Sequence, residues 1–154
     1  MLLKGIIDED FVNYKKCSMT LMFPWCTFKC GEDLCQNSSL AKAKVIDVSI
    51  LDIINRYTKN IYSDSIVCQG LEPFDSWVEL RALVIHVRGS GIEDDIVIYT
   101  GYMEDEISDK VEWLKHYKNI IIKFGRFIPN QKKHYDEVLG VELASNNQYA
   151  KKIS

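Results

Sequence analysis

At 154 residues, with 47% hydrophobic and 27% charged side chains, the chain has the size and composition of one ordinary globular domain, residues 1–154. A net charge of −3 without a block of Lys or Arg lacks the basic footprint of a nucleic-acid binder. No apolar run approaches the ~20 residues that span a bilayer, and the charges at Lys4 and Asp8 to Asp10 come too early for a signal peptide. A cytoplasmic, reducing setting is therefore expected, where clustered cysteines serve metal or redox chemistry more often than disulfides.

In chain order, Ser18–Phe23 reads as an apolar strand that Pro24 ends, followed by a long connection from Pro24 to about Ile46. Ser49 with Asp52 makes an S-x-x-D cap, after which Ile50, Ile53, Ile54 and Tyr57 recur at helical spacing. Ser65–Gln69 predicts a second strand. Ser76 with Glu79 repeats the capping pattern before a helix carrying Trp77, Leu80, Leu83, Val84 and Val87. Asp95–Tyr99 is the third strand. A helix from about Asp105 to Tyr117 follows, with an apolar stripe of Ile107, Val111 and Leu114. Acidic residues crowd its first turn, and Lys115, His116 and Lys118 its last, which suits the helix dipole. Asn119–Phe124 predicts a fourth strand and Gly140–Ala144 a short fifth.

Strands separated by helices imply an α/β fold with parallel pairing. The repeats are too few for a closed eight-fold barrel, so an open or partial (βα) barrel with parallel strands is expected, a doubly wound sheet being the alternative. Both architectures bind ligands at the carboxyl ends of their strands. The segments Pro24–Asn37, Gly70–Pro73, Thr100–Tyr102 and Gly125–Phe127 follow the four strands and should meet on that rim.

Three of the five cysteines lie in the first of these segments, Cys26, Cys30 and Cys35, spaced C-x3-C-x4-C. Cubane iron–sulfur clusters are usually held by four cysteines, so three thiolates suit a [4Fe–4S] cluster with one iron open to a ligand. Zinc is the competing reading, as a bound interaction module without catalysis. It favours C-x2-C pairs in a closed tetrahedron, and its fourth ligand would come from His134, Cys17 or Cys68. Cys17 is also an alternative third cluster ligand; otherwise Cys17 and Cys68 read as small buried hydrophobes. A connection this long is usually functional when ordered.

Glu72, beside Pro73, is either a solvated turn residue or an acceptor for an ammonium group. Thr100 and Gly101 offer hydroxyl and backbone contacts or form an ordinary turn. Asn37 is a cap, a loop bond or a ligand contact. Trp25 and Phe28 exclude water from the cysteines or simply pack the loop. His86 and His116 read as helix-surface residues, and no Ser/His/Asp order suggests a hydrolase.

The cysteine loop resembles that of the radical S-adenosylmethionine (SAM) superfamily, C-x3-C-x-Φ-C with Φ apolar. Cys26 and Cys30 match the first interval and Leu34 stands at Φ before Cys35, although two extra residues, with Gly31 among them, lengthen the second interval. More specifically, the chain resembles the activating protein of anaerobic ribonucleotide reductase. Cys35-Gln36-Asn37 is similar to its C-x-N and Gly70-Leu71-Glu72-Pro73 to its Gly-Gly-Glu-Pro. Tyr99-Thr100-Gly101-Tyr102 is similar to its Y-T-G-Y, Phe124-Gly125-Arg126-Phe127 to its D-G-x-F, and Ala144–Gln148 to its S-x-N-Q close. Leu71 replaces a Gly and Phe124 an Asp, which marks a divergent branch.

The resemblance implies a [4Fe–4S] cluster on Cys26, Cys30 and Cys35, with SAM chelated by the open iron and contacted by Asn37, Gly70, Glu72, Thr100 and Gly101. It implies reductive cleavage of SAM to methionine and a 5′-deoxyadenosyl radical, which removes a hydrogen from a glycine of the anaerobic reductase. The implied partners are that reductase and an electron donor such as flavodoxin or ferredoxin. The same SAM chemistry aimed at another peptide or a small molecule is the alternative enzyme.

Overall fold

The computed structural model describes residues 1–31, 33 and 35–154. The chain opens with β1 (Leu2–Leu3), β2 (Gly5–Asp10) and β3 (Ser18–Phe23). After the cysteine loop come α1 (Ser38–Lys42), β4 (Ile46–Asp47) and α2 (Ile50–Lys59). Then β5 (Ser65–Gly70) leads to α3 (Trp77–Gly89), β6 (Asp95–Tyr99) to α4 (Ser108–Leu114), and β7 (Ile120–Phe124) to a hairpin of β8 (His134–Asp136) and β9 (Val141–Leu143). The last strand is β10 (Tyr149–Lys152).

The fold is mixed α/β, built on a six-stranded sheet in the order β10-β7-β6-β5-β3-β2. Its four central strands pair in parallel and lie in chain order, so no reversal point exists. A doubly wound sheet needs that reversal to send helices to both faces; here every crossover runs the same way and the helices gather on one face. The packing bears this out. Leu21, Cys68, Ile98 and Ile122 share a core with Ile53 of α2, Leu83 of α3 and Val111 of α4. The alternate residues Val67, Val97 and Ile121 face the other way, onto Tyr14 and onto Leu139 and Leu143 of the C-terminal hairpin. Strands covered on both faces carry the unbroken Ile/Val runs read from the sequence.

Several sequence expectations shift. The short fifth strand exists as β9, but it pairs antiparallel with β8 apart from the main sheet. The sheet is flanked instead by β2 and β10, both antiparallel and neither read as a strand from the sequence: β2 pairs through Gly5, Ile6 and Ile7 before its register breaks at Asp8-Glu9, and β10 ends in Lys151-Lys152. Ser49 caps α2 as expected, its Oγ accepting the Asp52 N–H at 3.0 Å. Ser76 does not cap α3; its Oγ is buried without a partner among the described residues. A 3-10 turn, Pro73–Ser76, leads into α3 instead, and the Glu72 carboxylate satisfies its free Phe74 N–H. The helix expected from Asp105 to Tyr117 splits into a 3-10 turn, Glu104–Ile107, and α4, leaving the basic residues beyond its end. No helix among the described residues is long and apolar enough to cross a membrane.

Candidate metal centre

Pro24 closes β3 and turns the chain over the carboxyl rim of the sheet. The loop then tightens. Gly31 donates its N–H to the Phe28 carbonyl at 2.8 Å, with left-handed φ values of 50° at Phe28 and 93° at Gly31. Gly31 adopts that conformation freely, whereas an aromatic residue does so only against steric cost. Beyond Cys35 the loop is tied down twice. Asn37 Nδ2 donates to the Gly70 carbonyl at 2.8 Å, and Lys4 Nζ reaches the carbonyls of Ala41 and Ala43 at 2.9 and 2.5 Å, holding the end of α1.

Cys26, Cys30 and Cys35 open onto one cavity of about 120 Å³, walled also by Asn37, Leu71, Glu72, Gly101, Tyr102 and Arg126. Segments following all four parallel strands thus supply its lining, as the rim argument required. Leu34 lies outside the described residues. Cys17 precedes β3 while the loop follows it, a strand length of roughly 20 Å away, so Cys17 does not reach this cavity. It instead faces Ser63 Oγ at 3.8 Å. Cys68 is fully buried in the helix-side core. His134 carries a buried Nδ1 in β8.

Glu72 is 5% exposed, not a solvated turn residue. Its Oε1 accepts from Thr100 Oγ1 at 2.8 Å and Phe74 N at 3.1 Å, and its Oε2 from Gly101 N at 2.9 Å. Burial pushes its pKa up to about 7 against the pull of these three bonds, with the Asp75 charge adding to the rise. Below it, Lys123 is equally buried and donates to the Gly125 carbonyl at 2.8 Å. Burial lowers its ammonium to about 8, while the charge of Glu72 resists. At the rim, Arg126 makes two 2.8 Å bonds to Glu106.

The expected SAM contacts divide. Asn37, Glu72 and Gly101 line the cavity; Gly70 and Thr100 do not. Gly70 is glycine because β3 presses on it: at φ +108°, an added Cβ would stand 2.8 Å from Phe23 N. Thr100 is 3% exposed and gives its hydroxyl to Glu72. Phe124 is buried on the helix side and stacks on Tyr149, with centroids 5.3 Å apart. Leu71 does place its side chain on the cavity.

A family model described as a 4Fe-4S single cluster domain matches residues 15–149. The chain belongs to the 4Fe-4S single cluster domain family. No curated protein and no solved structure matches it.

In this 4Fe-4S single cluster domain the donor set suits such a group. Three thiols face a shared cavity, and each could take a different iron. Among the described residues no group of three Cys, His, Asp or Glu side chains is placed to hold one metal ion. Two of the thiols are shifted toward the protonated form: burial, joined by the charges of Glu72 and Asp75, pushes Cys26 up to about 11 despite the Phe28 N–H at its sulfur, and burial with nearby Cys35 also raises Cys30. Binding iron therefore displaces protons.

Sequence reasoning gave no role to Asp75, Lys123, Tyr102 or Arg126. Asp75 and Lys123 had no local signal, since a lone Asp and a lone strand Lys acquire meaning only from what packs beside them. Tyr102 and Arg126 stood inside recognised motifs and could have been nominated from them.

Proposed function

We propose that this iron–sulfur domain is a radical SAM activase for a glycyl-radical enzyme, an anaerobic ribonucleotide reductase. The observation that carries the reading is one cavity at the carboxyl ends of the parallel strands that joins Cys26, Cys30 and Cys35 to Glu72 and Gly101. Sequential strand order with the helices on one face is also what an open or partial (βα) barrel of the radical SAM kind requires. The single domain would work in the cytoplasm, with flavodoxin or ferredoxin as electron donor.

In this reading Cys26, Cys30 and Cys35 would hold the [4Fe–4S] cluster through three of its irons, and SAM would bind beside them at the open iron. When bound, the cluster would supply one electron for reductive cleavage of the SAM sulfonium carbon–sulfur bond to methionine and a 5′-deoxyadenosyl radical, the species that would take hydrogen from the partner's glycine. A carboxylate has about four acceptor positions. Among the described residues, protein donors take three of those on Glu72, and the second position on Oε2 would accept an ammonium in the cavity. Gly101 and Asn37 complete the contact surface. Gly70 and Thr100 act from behind, holding Asn37 and Glu72 in place.

A second reading keeps SAM cleavage but directs it to another peptide or a small molecule. Phe124 favours it, because the position that resembles the activase's Asp is spent on the core.

The test is anaerobic reconstitution, with an expected four iron and four sulfide per chain. That loading should be lost in Cys26→Ala, Cys30→Ala and Cys35→Ala and kept in Cys17→Ala and Cys68→Ala. SAM should then alter the electron paramagnetic resonance spectrum of the reduced cluster. With reductant and the reductase encoded in the same genome, a glycine-centred doublet should appear beside 5′-deoxyadenosine. 5′-Deoxyadenosine without the doublet would move the assignment to the second reading; failure to form it at all would end both.

A further inference from the structure

Asp75 belongs to no motif of the resemblance, yet its carboxylate joins three walls of the cavity. Oδ2 accepts the backbone N–H of Thr27, the residue after Cys26, at 2.7 Å. Oδ1 accepts the Tyr102 hydroxyl at 2.7 Å. That hydroxyl also lies 3.5 Å from Thr27 Oγ1. The Tyr102 ring lines the cavity and has the Lys29 ammonium 4.9 Å and the Arg126 guanidinium 5.3 Å from its centroid. The loop after β3, the turn after β5 and the turn after β6 therefore meet on one side chain.

The segment between Cys26 and Cys30 needs such a support. Its own bonds are the Phe28 N–H to the Cys26 sulfur at 3.2 Å and the Gly31-to-Phe28 turn, while Phe28 sits in a left-handed conformation that favours relaxation. The Glu72 N–H fixes the Trp25 carbonyl just ahead of Cys26 at 2.8 Å; within the Cys26–Cys30 segment, among the described residues, the Thr27 N–H bonded to the Asp75 carboxylate is the strong backbone tie to the rigid sheet rim.

We propose that Asp75 is a positioning residue that locks the Cys26–Cys30 segment, through the Thr27 N–H and the strut of Tyr102, in the shape that receives the cluster. The inference rests on Cys26 and Cys30 being ligands. Residues behind metal ligands typically govern ten- to a hundredfold in metal affinity.

The experiment uses the full chain reconstituted anaerobically, with iron release to a chelator followed by loss of visible absorbance, and with the melting temperature of the metal-free protein as a second readout. Asp75→Ala should release iron roughly ten- to a hundredfold faster while the metal-free protein melts as the parent does. Asp75→Asn should be partly rescued, because its amide oxygen still accepts from Thr27 and its NH2 can face the Tyr102 oxygen. Tyr102→Phe, which removes the strut but leaves the Thr27 bond, should fall between Asp75→Asn and Asp75→Ala. Parental release rates in Asp75→Ala overturn the proposal. So does a drop in its metal-free melting temperature that Asp75→Asn shares, which would make Asp75 a general structural residue. Cys26→Ala is the control: full loading there defeats the ligand reading, whereas lost loading there with parental release in Asp75→Ala defeats the positioning role alone.

Discussion

The substitution Glu72→Gln tests whether a carboxyl group is buried at the edge of the cavity. Raising this carboxyl from 4.5 to about 7 corresponds, at about 1.4 kcal/mol per pH unit, to roughly 3 kcal/mol. A carboxyl with a raised folded-state pKa binds its proton more tightly in the folded chain. Its contribution is fully present below the unfolded value near 4.5 and is lost as pH rises through about 7. An amide in its place removes that titration. The amide oxygen can still accept from Phe74 and Thr100, but the NH2 meets the Gly101 N–H and leaves that donor unpaired, a cost of about 1–3 kcal/mol at every pH. The variant should therefore be the less stable protein near pH 5. Its deficit should shrink, and can reverse, by pH 8. The assay is urea unfolding of the reduced, metal-free protein across that range. The difference between the two proteins cancels other titrations. Stability curves that stay parallel from pH 5 to 8 would refute the burial of an ionisable Glu72.

Two further outcomes follow from packing and charge elsewhere. Gly70→Ala should lower unfolding free energy by roughly 2–4 kcal/mol, combining a left-handed backbone penalty with a Cβ driven into Phe23 of β3; an unchanged urea midpoint would contradict that close approach. Asp95 accepts from Tyr14 at 3.0 Å and pairs with Lys16 at 2.6 Å. Burial pulls its pKa up, but these two partners win and hold it below the ordinary 3.8. Its stabilisation is thus complete above pH 3.8 and disappears as pH falls through the lower folded value. Asp95→Asn should cost roughly 1 kcal/mol at neutral pH, and the gap should close in acid; a gap that persists there would locate the loss in packing.

Much of the scaffold is legible in the order of residues. Strands buried on both faces need continuous apolar residues, so Ile66 to Cys68, Ile96 to Ile98 and Ile120 to Ile122 declare themselves. The Ser49 cap is likewise local, since hydroxyl and N–H are three residues apart. The edge strands β2 and β10 were not legible, because an Ile6-Ile7 pair running into Asp8-Glu9-Asp10, or a short segment ending in Lys151-Lys152, becomes a strand only when a neighbour supplies the hydrogen bonds. The doubly wound alternative fell to sheet order, which no local pattern encodes.

At the site, the three clustered cysteines and the turns after each strand are properties of the sequence alone: thiolate chemistry and chain reversal depend on residue type and spacing. Where those turns' side chains point is not. The sequence left Glu72 between a solvated turn residue and an acceptor for an ammonium group; it is buried, held by donors from the next strand's end and from its own turn. Gly70 and Thr100 stood in the motif but serve the wall behind the cavity, and Phe124 turned into the helix-side core. Asp75 gained its role from a loop 48 residues earlier and a tyrosine 27 residues later. Only tertiary structure could decide these, because burial and hydrogen-bond partnership are properties of what packs against a residue, and that is set by strand order across the sheet.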